Sequence, residues 1–117
     1  MEETEEIEKV LEEFKTFVAQ DKYRIIERNE NYLLMVDYDI SEEKRKNVLL
    51  ELTIDDFVWK DKIRNKKIKG YVYIFHKKVK LLQKYLNEML DVNLYIKFSS
   101  IMEKYVIIIS FHESFYG

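Results

Sequence analysis

The chain has 117 residues, 47% of them hydrophobic and 36% charged, and this length and composition predict a single globular domain over residues 1–117. It contains no cysteine, so disulfides, thiolate metal ligands and cysteine nucleophiles are excluded. The N-terminus is acidic and no apolar run reaches membrane-spanning length, so we expect a cytoplasmic protein without a membrane partner.

The net charge of -2 conceals an uneven distribution of charge along the chain. Residues 1–13 carry seven Glu and one Lys, whereas residues 60–84 carry ten Lys or Arg and a single acid, Asp61. Such a basic segment favours an anionic partner, commonly nucleic acid, although an ordinary solvated lysine-rich surface has the same pattern. Binding that weakens with salt would distinguish the two.

The N-terminal segment has the spacing of an amphipathic helix, over about residues 3–20. Its apolar positions recur at i, i+3, i+4 and i+7: Ile7, Val10, Leu11, Phe14, Phe17 and Val18. Residues 22–28 form a plausible short strand, and the apolar run 32–36 fits either a helix or a buried strand. The stripe on the first helix predicts that this helix packs on a sheet.

Two N-cap signals follow in the chain. Ser41, with acids directly after it, predicts a helix over residues 44–52. Thr53 predicts a short capped turn in which Asp55 and Asp56 serve as capping groups, not as metal ligands or catalytic acids.

The middle of the chain is predicted to alternate between loop, strand and helix. Residues 58–70 have the composition of an exposed basic loop, and residues 71–77 that of a strand. Residues 78–91 are predicted to form a helix with these apolar positions: Leu81, Leu82, Tyr85, Leu86, Met89 and Leu90.

Two strands are predicted at the C-terminal end, over residues 93–98 and 104–113. The first alternates strictly, so Tyr95 and Lys97 share one face and apolar residues share the other. The second is apolar on both faces until its end, where Ser110 and His112 share a face. If the two strands pair, tyrosine, lysine and histidine meet on one face; the alternative is that these are ordinary solvent-facing residues.

The predicted fold class is therefore α+β. An antiparallel sheet of about four strands would pack with the N-terminal helix and further short helices.

In their order and spacing, these segments resemble the MqsR family of bacterial toxins, mRNA interferases of the RelE-like superfamily. The most specific match is Leu-Thr-x-Asp-Asp-Phe at residues 52–57, followed by Tyr-Ile-Lys at 95–97 and Ile-Ser-Phe-His at 109–112. The matching segments are spread along most of the chain, at residues 17–18, 22–29, 40–41, 50–57, 72–75, 94–98 and 108–112.

The resemblance implies a RelE-like toxin domain of a type II toxin–antitoxin system, with a helix over residues 32–38 and an inserted helix over about 78–91. The implied partners are mRNA, a cognate antitoxin and, as an open question, the ribosome. The family's catalytic positions match Tyr95, Lys97 and His112, and Lys60 with a one-residue shift. RNA contacts are expected from Arg24, Arg28, Lys62, Lys66, Lys67 and Tyr73.

The implied activity is metal-independent cleavage of RNA, in which the 2′-hydroxyl attacks the adjacent phosphorus without a cofactor. Histidine titrates near neutral pH, so His112 suits acid–base work. Lys97 suits the developing phosphorane charge, and Tyr95 can hydrogen-bond phosphate or stack on a base.

Other assignments are weaker or remain open. His76 is expected to have a structural role, and no His-x₃-His or cysteine pair indicates zinc. One alternative function is a non-catalytic nucleic-acid-binding or ribosome-binding module. Another is a protein-interaction domain that docks a partner through the first or the inserted helix.

Overall fold

The computed structural model describes residues 2–63, 70–99 and 105–114, and within them the fold is α+β. Three α-helices accompany one six-stranded sheet in these ranges. The helices are α1 (Glu2–Ala19), α2 (Asn29–Asp37) and α3 (Glu42–Leu50). The strands are β1 (Tyr23–Ile25), β2 (Tyr38–Asp39), β3 (Phe57–Lys62), β4 (Tyr71–Gln83), β5 (Glu88–Ser99) and β6 (Val106–Glu113). None of the described helices is long and apolar enough to cross a bilayer.

The sheet is mixed, with the strand order β1-β6-β5-β4-β2, and β3 also pairs with β4. β1 runs parallel to β6, whereas the other pairs are antiparallel. The predicted α+β class is confirmed, but the predicted antiparallel sheet of about four strands differs from the observed one. The additional strands β2 and β3 lie beside different halves of the long strand β4, where the sequence predicted other structures.

α1 packs on one face of the sheet, which we call the inner face. Phe14 stacks on Phe98 of β5 with ring centroids 4.0 Å apart, and Phe98 also stacks on Phe75 of β4. The predicted apolar stripe is confirmed, since Ile7, Leu11, Phe14 and Val18 are buried and Val10 and Phe17 pack against them. Burial of this stripe contributes hydrophobic stabilisation.

Local capping residues set the boundaries of the short helices. The Ser41 hydroxyl accepts the Lys44 backbone N–H at 3.1 Å, as predicted for an N-cap. The Asp56 carboxylate accepts the Thr53 backbone N–H at 2.9 Å, so this aspartate is a capping group of the 3₁₀ turn Ile54–Asp56. Residues 32–36, which fit two structures in the sequence, lie in α2.

The predicted helix over residues 78–91 is wrong, because this segment forms the far half of the β4–β5 hairpin. Leu81 pairs with Leu90, and Leu82 with Met89, across the two strands. Asn87 adopts φ 52° in the turn, a left-handed conformation that asparagine tolerates better than most residues. There is therefore no inserted helix on which a partner could dock.

The predicted loop over residues 58–70 is partly wrong as well. Its first residues belong to β3, which pairs with β4 from Phe57↔Phe75 to Lys62↔Tyr71. Residues 64–69 of that prediction lie outside the described residues. β3 places its side chains alternately on the two faces of the sheet, which decides where the basic residues of this segment lie.

Candidate functional site

The face of the sheet opposite α1, which we call the outer face, carries the polar residues predicted at the C-terminal end. Leu94, Ile96 and Phe98 of β5 are fully buried on the inner face. Because alternate residues of a strand point to opposite faces, Tyr95 and Lys97 lie on the outer face, where both are half-buried. The predicted alternation of β5 is confirmed.

Three rings form a row across three neighbouring strands of the outer face. In the strand register, His76 of β4 lies opposite Tyr95 of β5, and Tyr95 lies opposite His112 of β6. The His76 and Tyr95 centroids are 5.4 Å apart with a tilt of 53°. Tyr95 and His112 are stacked, with centroids 5.2 Å apart and planes 16° apart. We call these three residues the ring row.

Two cationic side chains lie near the ring row. Lys97 is opposite Ser110 in the register, two positions along from the Tyr95–His112 pair. Arg28, from the N-terminal end of α2, places Nη1 3.4 Å from the Ser110 hydroxyl and 3.5 Å from the Ile109 carbonyl oxygen. Arg28 also pairs with Glu30, at 3.6 Å, and nearly half of its side chain is exposed. The guanidinium is therefore accessible from solvent.

The Tyr95 phenol remains protonated at neutral pH. Burial raises its pKa above 10.0, and the positive charge of Arg28 opposes this shift only in part. A protonated phenol donates a hydrogen bond, so Tyr95 suits contact with a phosphate oxygen or stacking on a base.

His112 has a defined tautomer in its neutral form. Its Nδ1 lies 2.9 Å from the Glu113 carbonyl oxygen. A carbonyl oxygen only accepts hydrogen bonds, so Nδ1 must carry the proton and Nε2 the lone pair.

The end of β6 is held in place by the side chain of Asn31, which sequence reasoning missed. Asn31 is buried, its Oδ1 accepts the Phe111 N–H at 2.8 Å, and its Nδ2 donates to the Ile109 carbonyl at 3.1 Å. Nδ2 also donates to the Ile26 carbonyl at 2.8 Å. Asn31 thus extends the pairing that β1 begins and fixes the backbone on both sides of Ser110.

Lys60 does not belong to this site. It lies opposite Tyr73 in the register, and Tyr73 lies opposite Phe98, so all three are on the inner face. Lys60 Nζ pairs with Glu6 of α1 at 2.6 Å and lies 4.1 Å from the centre of the Tyr71 ring. The prediction that Lys60 acts together with Tyr95, Lys97 and His112 is therefore wrong.

Two predicted RNA-binding residues accompany Lys60 on the inner face. Tyr73 is buried under α1, so it cannot contact a macromolecule, and its prediction is wrong. Lys62, opposite Tyr71, is exposed at the edge of the inner face, away from the ring row. The structure therefore places Lys62 on the opposite face of the sheet from Tyr95 and His112.

The other predicted RNA-binding residues divide into three cases. Arg28 lies at the ring row, as described above. Arg24 is exposed on β1 opposite Ile107, on the outer face but toward the start of β6 and away from His112. Lys66 and Lys67 lie outside the described residues.

A cleft of about 620 Å³ adjoins the site at the first turn of α2. Its walls include Ile25, Tyr32, Met35 and Phe111, and Arg28 also lines it. Arg28 therefore contacts Ser110 near the ring row and also lines the cleft. No group of three or more His, Asp or Glu side chains in the described ranges is arranged to hold a metal ion.

The sequence signal for His76 was present but incomplete. The sequence predicts His76 in a strand. Its register beside Tyr95 depends on the β4–β5 hairpin, however, and the predicted helix over residues 78–91 excludes that hairpin. Asn31 gave no comparable signal, because its partners are distant in sequence.

Comparisons with known proteins do not identify the chain: no family model, curated protein or solved structure matches it.

Proposed function

We propose that this protein is a metal-independent endoribonuclease, the toxin of a type II toxin–antitoxin system with a RelE-like fold. The observation that supports the proposal best is the stacked pair of Tyr95 and His112 beside Lys97 and Arg28. This arrangement combines an imidazole, a phenol donor and two cations on one face of the sheet. Its substrate would be mRNA, and its partners an antitoxin and, in one form of the activity, the ribosome.

Each residue has a role in the proposed reaction. The 2′-hydroxyl of RNA attacks the adjacent phosphorus and gives its proton to His112, while the bond between phosphorus and O5′ breaks and the leaving 5′-oxygen takes a proton from water. Lys97 and Arg28 stabilise the negative charge that develops on the phosphoryl oxygens. Tyr95 donates a hydrogen bond to the same phosphate or stacks on a neighbouring base. Arginine suits phosphate because its planar fork donates two parallel hydrogen bonds.

A second candidate function is binding of single-stranded RNA without cleavage. The ring row favours it, because aromatic rings on a sheet stack with bases regardless of sequence, and nearby cations attract the backbone. This function requires the rings and the cations but no proton transfer. The two functions therefore share a surface and differ in their dependence on His112.

The test compares the purified protein with two variants on a mixed-sequence RNA, in EDTA without ribosomes and separately in Mg²⁺ with ribosomes. His112→Ala removes the acid–base group, and Lys80→Ala, on the exposed far half of β4, is the matched control. We expect new RNA ends with wild type and Lys80→Ala, and a loss of roughly 10²–10⁴-fold in rate with His112→Ala. Cleavage by none of the three proteins, together with salt-dependent RNA binding, would favour the second function.

The toxin assignment needs a cellular measurement of its own. Induced expression of wild type should arrest growth, whereas His112→Ala at an equal protein level should not. If the protein cleaves RNA in vitro but its expression does not affect growth, it is a ribonuclease and not a toxin.

A further inference from the structure

Trp59 is the only tryptophan of the chain, and it is exposed on the surface of the sheet. It is 60% exposed in β3, although an indole is among the side chains that gain most from burial. In the strand register it lies opposite Ile74 of β4, and Ile74 lies opposite Lys97 of β5. Trp59 is therefore on the outer face, which also carries the ring row.

A β-bulge places Trp59 on this face. Phe57 pairs with Phe75 on the inner face, so strict alternation along β3 would put Trp59 on the inner face as well. The register shift between Phe57 and Trp59 adds one residue and directs the indole outward. The same shift directs Lys60 toward Glu6 of α1. Bulges often re-aim a side chain beside a functional site, and the side chain re-aimed here is the largest of the strand.

Trp59 ends a line of outer-face residues that runs beside the ring row. In register order this line consists of Trp59, Ile74, Lys97 and Ser110, and we call it the second row. Arg28 Nη1 lies 3.4 Å from the Ser110 hydroxyl at the other end. The second row therefore has an aromatic ring at one end and cationic groups toward the other. Surfaces that bind single-stranded nucleic acid combine these two kinds of group.

We infer that Trp59 is a base-stacking subsite for RNA, an inference that deepens the proposed function and rests on RNA binding at the ring row. Trp59 and Tyr95 are two strands apart and two residues apart along the strands, which is roughly 12 Å between their Cα atoms. Neighbouring bases in a stacked nucleic-acid strand are only about 3.4 Å apart. The two rings therefore hold different bases of an extended RNA strand, which crosses β4 between them.

Single-stranded RNA fits the surroundings of Trp59 better than a protein partner does. Val58 beside it is exposed, but Val72 and Ile74, the nearest apolar residues of β4 on the outer face, are half-buried. The exposed apolar area is therefore small, whereas protein interfaces have a fully buried apolar core. One exposed ring in line with cations suits a nucleotide, because each nucleotide presents a flat base and a phosphate.

The fluorescence of Trp59 measures stacking directly, because no other tryptophan contributes to the signal. The probe is a single-stranded RNA of about eight nucleotides, within the range of such binding sites. Its 2′-O-methyl groups prevent cleavage by the 2′-hydroxyl, so binding is measured alone. The probe should quench the fluorescence over the same concentrations at which the anisotropy of an end-labelled copy rises.

Two variants measure what the ring contributes to affinity. Trp59→Ala should lower RNA affinity by roughly 5- to 150-fold, the range for one stacked base, and Trp59→Phe should lower it less. On cleavable RNA the loss should appear in KM, with kcat near wild type, because Trp59 does not touch the reacting atoms. Tyr85→Ala, an exposed aromatic residue at the hairpin tip, is the matched control and should bind as wild type does. Chemical denaturation should show all three variants folded, since both positions are exposed.

The subsite and the ribonuclease function can fail separately. Quenching together with weaker binding by Trp59→Ala, but without cleavage by wild type, would support the subsite and overturn the ribonuclease function. RNA binding without quenching, or with equal affinity in Trp59→Ala, would overturn the subsite even if wild type cleaves RNA, and would favour a protein partner at Trp59. Wild type that neither binds nor cleaves RNA would overturn both.

Discussion

The side-chain amide of Asn31 occupies the edge of β6 beside Phe111, although the two residues lie 80 positions apart in the chain. The amide supplies both hydrogen bonds that a neighbouring strand would supply at Ile109 and Phe111. β1 ends at Ile25, and without Asn31 the Phe111 N–H would lose its partner and the Ile109 carbonyl would keep only the longer contact with Arg28, at 3.5 Å. The stability of the fold and the geometry of the ring row are therefore coupled at this residue.

Asn31→Leu should lower the free energy of unfolding by about 2–4 kcal/mol. The reason is that buried backbone groups are left without partners, each costing about 1–3 kcal/mol. Chemical denaturation measures the loss, and Asn29→Ala, at the exposed start of the same helix, is the control. An unfolding free energy equal to that of wild type would show that water or a rearranged β1 replaces the amide.

Lys60 and Lys97, which the sequence places in one catalytic site, should differ in their effect on cleavage. Lys60 is on the inner face, bound to Glu6 of α1, whereas Lys97 is on the outer face beside Ser110. Lys97→Met should lower the cleavage rate by about 100-fold, in the range for loss of one charge-stabilising group, while Lys60→Met should leave it unchanged. Rates with saturating RNA make the comparison.

Lys60→Met still has an expected consequence for stability. The pair with Glu6 is partly exposed, so its loss should cost no more than about 1 kcal/mol. Equal loss of cleavage in the two variants at unchanged stability would contradict the assignment of Lys60 to the inner face.

Local patterns predicted the elements whose partners are near in sequence. The stripe on α1, the Ser41 cap and the alternation around Tyr95 each depend on residues a few positions apart. They follow from helix and strand periodicity alone. The grouping of Tyr95, Lys97 and His112 on one face was predictable for the same reason, since both strands alternate and pair.

The β4–β5 hairpin shows why other elements were missed. Leu81 pairs with Leu90, and Leu82 with Met89, so apolar residues lie at equal distances in sequence on the two sides of the turn. A mirrored set of apolar pairs has nearly the spacing of a helical stripe, and the two cannot be distinguished without the long-range pairing. The face of Lys60 was hidden similarly, because its segment had the composition of a loop and its strand includes a register shift between Phe57 and Trp59.

Substitutions of Tyr95 should separate binding from catalysis. Tyr95→Phe keeps the ring between His76 and His112 but removes the hydroxyl donor, so RNA affinity should be retained while the cleavage rate falls. Tyr95→Ala removes the ring as well, and affinity should fall by about 1–3 kcal/mol for each base that it stacks. Equilibrium binding and single-turnover cleavage measure the two effects. Tyr85→Ala, at the exposed hairpin tip, is the control. Equal RNA affinities for the Phe and Ala variants would show that the Tyr95 ring does not stack on bases.

Alkaline pH should destabilise the protein, in part through Tyr38. Its hydroxyl donates to the Glu113 carboxylate at 3.2 Å, and burial together with the charge of Glu113 raises its pKa above 10.0. A phenol that ionises less readily when folded contributes stability that is complete below pH 10 and is lost as pH rises through the raised pKa. Thermal unfolding between pH 8 and about pH 11 should therefore show a falling midpoint.

Tyr38→Phe isolates this contribution to the pH dependence. The variant should be less stable than wild type at pH 8, because the hydrogen bond is lost, and its midpoint should fall less steeply above pH 10. Some slope should remain, since burial also raises the pKa values of Tyr23, Tyr73 and Tyr95. The matched control is Tyr85→Phe, whose exposed ring should leave the wild-type slope unchanged. A Tyr38→Phe slope identical to that of wild type would show that the phenol and Glu113 are not coupled in the folded protein.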